Sequence, residues 1–352
     1  MTLLRILTDR IAATGPITVA DYMFEALLHP VHGYYTTRDP LGTAGDFTTA
    51  PEISQMFGEL IGLSLAQSWL DQGAPAAFTL AELGPGRGTL MADILRATAR
   101  VTGFHNAMRI TLVEVSPALC DIQARTLQGH TPQWQDNIHD LSEQPLFLVA
   151  NEFFDALPVH QYQRDGDRWR ERMVGIDGDR LQMGLGPATL QPALAHRLED
   201  TRQDDIVEVC PTAPPIIDTI STRIRDHGGA ALIIDYGDWR SLGDTLQAIK
   251  DHAATDPLAA PGTADLTTHV DFEVLTQAAR CPFTRITPQG VFLERLGITQ
   301  RAQTLAQTLR DAPLEAHIAA HRRLTHPAEM GNLFKVLGLY PEGATPPPGL
   351  EP

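Results

Sequence analysis

The residues most suited to chemistry lie in Glu82-Leu83-Gly84-Pro85-Gly86-Arg87-Gly88, directly after an apolar run and before a helical pattern. Glycines let the chain turn sharply and let a ligand approach the backbone closely. The helix that follows offers unpaired N–H groups. A plain strand-to-helix turn, a dinucleotide site and an S-adenosylmethionine site all use such a loop. A dinucleotide site calls for an acidic ribose contact about 20 residues downstream. Here that place holds Phe104 and His105. Glu114 instead stands thirty positions after Gly84, at the tip of the next apolar run, with Ser116 just beyond it. Glu82 sits beside the loop, where it would oppose a pyrophosphate. S-adenosylmethionine carries no phosphate. Its ammonium and sulfonium tolerate carboxylates, and its ribose diol can donate two hydrogen bonds to Glu114. The expected donor contacts are therefore Glu82, Gly84, Gly86, Gly88, Glu114 and Ser116, with adenine near Asp136 to Ile138.

A second group follows the apolar run 146–150: Asn151, Glu152 and Asp155, with Phe153 and Phe154 able to wall a cavity. Asp235 and Tyr236 end the apolar run 230–234 in the same way. In open parallel sheets, ligands bind beyond the carboxyl ends of the strands. Methyl transfer is an in-line displacement that requires donor and acceptor to be held collinear. An arginine acceptor is fully protonated in water, so paired carboxylates would orient it and stabilise its charge. Glu152 and Asp155 are the candidates for that clamp. Asn151 would orient donor or acceptor, and Asp235 would assist or take the proton. The competing reading is that Asn151 and Asp155 cap the next helix above packed phenylalanines.

These residues need a scaffold. Helices are expected over 3–13, 18–28, 54–70 and 89–100, strands over 78–83, 110–113, 146–150 and 230–234. Strand, polar tip and helix in repetition mean a mainly parallel sheet covered by helices. Residues 160–225 break the rhythm with alternating patterns and Asp-Gly turns, as in an antiparallel insertion. The stretch 30–51 is too rich in Gly, Pro and Thr for a regular element, and long structured loops often serve function. The expected division is an N-terminal helical extension with a cleft-covering loop over 1–72, the first part of the core over 73–160, and an inserted substrate module over 161–228. The rest of the core follows over 229–340, with a flexible tail over 341–352.

Composition narrows the function classes. The 352 residues carry a formal charge of -16, with 43 % hydrophobic and 20 % charged residues. That is a globular chain whose acidity disfavours nucleic acid as a partner. Lys250 and Lys335 are the only lysines, a bias that reads as bacterial. Cys120, Cys210 and Cys281 form no CxxC pair, which fits a reducing compartment. No apolar run is long enough to span a membrane, and the N-terminus shows no signal-peptide pattern, so a cytoplasmic location is expected. His29 with His32 lacks further ligands, and His317 with His321 lacks the glutamate of a zinc helix; no metal is expected. Oligomeric state is not readable from these patterns.

Longer stretches bring in a family. GPITVADYM, LLHPVHGYY, GDFTTAPEISQMFGELIG, AELGPGRGTLMADILR, LVEVSP, ANEFFDALPVHQY, LIIDYGD, ADLTTHVDF and TPQGVFLERLGI together resemble the MidA family of S-adenosylmethionine-dependent methyltransferases. The glycine loop marks only a broad superfamily, whereas GDFTTAPEISQMFGE and NEFFDALP are far more specific. The resemblance implies an α/β class I (Rossmann-like) methyltransferase sheet with an N-terminal helical extension and an inserted, partly antiparallel substrate module. It implies that GDFTTAPEIS closes over the cleft, contributing Thr48, Thr49 or Ser54 to the donor. The family includes a mitochondrial matrix arginine methyltransferase that assists assembly of respiratory complex I by symmetrically dimethylating an arginine of the 49 kDa NADH dehydrogenase subunit. A bacterial counterpart of that subunit is the implied acceptor. The alternatives are another protein residue or a small molecule as acceptor, or a noncatalytic assembly factor that keeps the fold.

Overall fold

The computed structural model describes residues 2–37 and 48–352. Two compact units emerge, each discontinuous in sequence. One comprises residues 48–154, 214–239 and 271–352; the other comprises 155–213 and 240–270 together with the N-terminal segment.

The first unit is built on a central sheet. Its strands run in the order Thr287–Pro288, Phe334–Leu339, Gly229–Asp238, Leu146–Asn151, Phe78–Leu83, Met108–Val113 and Gln133–Gln135. From Gly229–Asp238 to Gln133–Gln135 each neighbouring pair is parallel. Phe334–Leu339 runs antiparallel to Gly229–Asp238, and Thr287–Pro288 antiparallel to Phe334–Leu339. Phe78–Leu83 and Leu146–Asn151 are buried at every position, so their apolar runs have no alternation. Helices Gln55–Asp71 and Thr89–Thr98 pack on one face with Phe57, Ile61, Leu65, Leu90 and Ile94. An aromatic knot ties this face to the sheet: Phe78 lies 4.9 Å from Phe104 and 5.2 Å from Phe147 between ring centroids. Tilted and edge-on geometries such as these are the ones aromatic rings favour.

The second unit has helices Leu3–Thr14 and Val19–Leu28, capped by the Thr2 and Thr18 hydroxyls. Their buried faces, with Leu7, Ile11, Tyr22 and Met23, share a core with Val159, Val174 and Leu266. One sheet orders Ile17–Thr18, Arg168–Asp177, His160–Asp165 and Ile206–Val209, and Arg180–Thr189 also pairs with Arg168–Asp177. A smaller sheet joins Ala253–Thr255, Gln247–Lys250 and Asp265–Thr267.

The α/β class and the antiparallel module stand as the sequence predicts. The division differs in four places. The N-terminal helical extension is present, and its helices cluster with the inserted strands. Residues 240–270, which the sequence pattern assigns to the core, join that unit too. Helix Ala213–His227, assigned by pattern to the insertion, packs with the sheet-bearing unit through buried Ile217, Ile220 and Ile224. The tail is not loose: Leu350 is buried, the Ser64 hydroxyl donates to Pro348 O at 3.0 Å, and Glu351 pairs with Arg295 at 2.8 Å. Short helices at Tyr34–Thr37 and Ala50–Ile53 also interrupt the stretch expected to be irregular.

Candidate functional site

Strand Phe78–Leu83 carries Glu82 to the carboxyl edge of the sheet, and the chain turns there. Gly84, Gly86 and Gly88 have φ of 58°, 54° and 81°. At Gly84 the need for glycine is double, since a Cβ would also stand 3.0 Å from Phe153 Cδ2. Gly88 caps helix Thr89–Thr98 without a side-chain bond, so nothing from the cap residue covers the first N–H groups. Glu82 is 3 % exposed, and one of its oxygens, Oε2, has no partner among the described residues. Burial pushes its carboxyl up to about 8, against the opposing hydrogen bond from the Met91 backbone.

Glu114 follows the adjacent strand, and its backbone N–H donates to Gln135 O at 3.0 Å. Its Oε1 accepts from Ser116 N at 2.8 Å and its Oε2 from Gln123 Nε2 at 3.2 Å. Burial raises its pKa while these bonds oppose the rise. Ser116 does its visible work through other groups: its hydroxyl caps helix Pro117–Thr126, accepting from Leu119 N at 3.5 Å. Gln123 escapes sequence reasoning. It lies mid-helix, nine residues from Glu114, with no motif to single it out.

The second candidate group occupies the tips of Leu146–Asn151 and Gly229–Asp238, where Asn151 pairs with Ile234. Asn151 Nδ2 donates to Glu152 Oε1 at 3.0 Å, and the same oxygen accepts from Ala50 N at 3.1 Å. Asn151 Oδ1 is buried with no partner among the described residues. Glu152 has φ of 52°, a left-handed conformation unusual for a residue with a side chain and common where strain serves a site. Asp235 is fully buried, and its two oxygens accept from Phe154 N at 2.9 Å and Tyr236 N at 3.0 Å. It ties the turn after Asn151 to its own strand. Asp155 belongs to the other unit, where its carbonyl accepts from Thr268 N at 2.9 Å. There, burial and then the charges of Asp265 and Asp155 raise the Tyr35 hydroxyl far above its ordinary range.

Of the remaining expected contacts, Thr48 and Thr49 are half-buried, and Thr49 begins Ala50–Ile53 without a side-chain cap bond. Ser54 caps Gln55–Asp71, its hydroxyl accepting from Met56 N at 3.3 Å. Gly45, Asp46 and Phe47, the start of the expected cleft-closing segment, lie outside the described residues. Among those described, no cluster could hold a metal ion, and no helix is long and apolar enough to cross a membrane.

These groups fit S-adenosylmethionine. The turn is bare of side chains at three positive-φ glycines, Glu114 offers a carboxylate suited to a diol, and Glu82 Oε2 and Asn151 Oδ1 are buried acceptors with capacity to spare. A family model described as "Putative S-adenosyl-L-methionine-dependent methyltransferase" matches residues 60–288. Curated relatives match nearly end to end. The human protein arginine methyltransferase NDUFAF7, mitochondrial, is 40 % identical over 369 residues, covering 96 % of this chain and 83 % of that protein. Its Xenopus laevis counterpart is 40 % identical over 373 residues, covering 96 % and 84 %.

The chain belongs to the MidA/NDUFAF7 family of S-adenosylmethionine-dependent methyltransferases.

A solved structure agrees. A Burkholderia thailandensis protein bound to S-adenosyl-homocysteine superposes with a TM-score of 0.81 at 28 % identity, covering 96 % of this chain and 91 % of that one. The class I sheet, the cofactor and methyl transfer are thus those of the MidA/NDUFAF7 family.

Proposed function

We propose that this chain methylates an arginine side chain of a protein, and that its acceptor is a 49 kDa-type subunit of NADH dehydrogenase during assembly of respiratory complex I. The observation that carries the reading is Glu152, held by Ala50 N and Asn151 Nδ2 in a left-handed backbone at a strand tip. S-adenosylmethionine supplies an electrophilic methyl group on a sulfonium. Glu114 receives the ribose, the glycine turn admits the donor's backbone-side contacts, and Glu82 and Asn151 receive its ammonium. Glu152 orients the planar guanidinium and offsets its charge while the attacking nitrogen loses conjugation. As the N–C bond forms the S–C bond would break, S-adenosylhomocysteine would leave, and the proton shed by that nitrogen would pass through Glu152 to solvent. Asp235 acts at one remove, because both its oxygens serve backbone N–H groups. The names of the curated relatives support the arginine acceptor.

The test is to incubate the protein with methyl-labelled donor and a bacterial 49 kDa-type subunit, then map the label by mass spectrometry. Label on an arginine supports the reading. Label on another residue type, or on small molecules alone, overturns it.

A further inference from the structure

We infer that Gln123 is the positioning residue of the donor site, joining the glycine turn, the ribose carboxylate and the edge strand through one carboxamide. Its side chain is fully buried. Nε2 donates to Gly86 O at 2.8 Å and to Glu114 Oε2 at 3.2 Å, and Oε1 accepts from Trp134 Nε1 at 2.8 Å. Gly86 is the middle glycine of the turn, Glu114 follows strand Met108–Val113, and Trp134 lies in the edge strand Gln133–Gln135. Three elements that converge on the donor are therefore held by one group.

The chemistry demanded of that group is narrow. It must donate twice and accept once without bringing a charge beside Glu114. A primary amide does this; a protonated carboxyl donates once, and arginine or lysine accepts nothing. Asparagine has the right head and is one methylene too short. At a buried site each lost partner leaves a polar group unsatisfied, so the cost falls on the geometry of Glu114 and Gly86. Glu114 keeps its charge oriented toward a diol because its oxygens are already aimed by Ser116 N and Gln123. The Gly86 carbonyl is likewise committed to the Gln123 amide, which fixes the orientation of the turn's central peptide.

The inference rests on Glu114 as the ribose contact and is independent of the acceptor. Its test is calorimetric titration with S-adenosylhomocysteine between about pH 5.5 and about pH 8.5, roughly the range over which a buried carboxyl titrates. The proteins are wild type, Glu114→Ala, Gln123→Met, Gln123→Glu and Trp134→Phe. Gln123→Met should raise Kd at least about tenfold, as expected from losing all three buried hydrogen bonds of the carboxamide. It should raise the donor KM while kcat at saturating donor changes much less. Gln123→Glu should make affinity pH-dependent: while the introduced carboxyl is protonated it still donates to Glu114, and its ionisation puts two carboxylates together. Affinity then falls as pH rises, whereas a purely structural role predicts no such slope. Trp134→Phe keeps an aromatic ring but removes the indole N–H along with part of the ring, and should raise Kd about threefold; it decides the matter if the Gln123 variants do not fold. If the folded Gln123 variants, or Trp134→Phe in their place, bind as wild type while Glu114→Ala does not, the role of Gln123 is overturned. If Glu114→Ala binds as wild type, the ribose assignment itself has failed.

Discussion

Ala50 N–H donates to Glu152 Oε1 at 3.1 Å, joining two residues 102 positions apart. The same oxygen accepts from Asn151 Nδ2, so Glu152 is held from two directions. A carboxylate fixed in this way can offer charge without moving.

That arrangement predicts a split in the kinetics. Glu152→Gln keeps an acceptor oxygen for Ala50 N–H and loses the charge. Donor affinity should stay within about twofold, while kcat for an arginine-containing acceptor falls at least about 100-fold, the scale of one lost transition-state charge contact. Unchanged kcat removes Glu152 from the acceptor site.

Glu82 predicts a pH dependence of stability. Its folded pKa stands at about 8, against 4.5 for an ordinary glutamate in the unfolded chain. Between those values the unfolded state gives up the proton and the folded state keeps it, so stability falls as pH rises through the window. Glu82→Gln removes the titration. The stability difference between wild type and variant should shift by on the order of 5 kcal/mol across that window, read from urea unfolding at several pH values. A constant difference contradicts the raised pKa.

Glu59 predicts the opposite slope. Burial opposes its charge, but the Arg301 and Arg96 guanidiniums outweigh this and hold its pKa below 4.5. The stabilisation is complete above 4.5 and is lost as pH falls through the lowered value. Because both arginines are partly exposed, Glu59→Gln should cost only about 1 kcal/mol at neutral pH. The cost should shrink in acid, as thermal unfolding at about pH 7 and about pH 3 would show.

The chain end predicts a packing effect. Leu350 is buried in the core cluster of the sheet-bearing unit, and Gly349 lies against Phe292. Leu350→Ala should destabilise that unit by about 2–4 kcal/mol, measured by denaturant unfolding. A free tail would show no change.

What could be read in one dimension was local. Phe78–Leu83 and Leu146–Asn151 show themselves as strands because both of their faces are buried. The loop from Gly84 to Gly88 shows itself because few residues other than glycine adopt such positive φ. Glu114 follows from its place at the tip of the next strand. These features depend on a residue and its near neighbours, so sequence alone determined four strands of the sheet, the turn and the candidate ribose carboxylate, while the antiparallel strand Phe334–Leu339 and the strand order came from the fold.

Tertiary structure decided the rest, because partners distant in sequence leave no period to detect. Nothing around Gln123 announces that Gly86 O, Glu114 and Trp134 meet at its amide. Asp235 shows in the sequence only as a carboxylate at a strand tip; that its oxygens accept from Phe154 N and Tyr236 N is visible only in the fold. Residues 341–352 look like linker, being rich in proline and glycine, until Leu350 is found buried. A polar pattern tells which residues can form hydrogen bonds; only the packed chain assigns each donor to its acceptor.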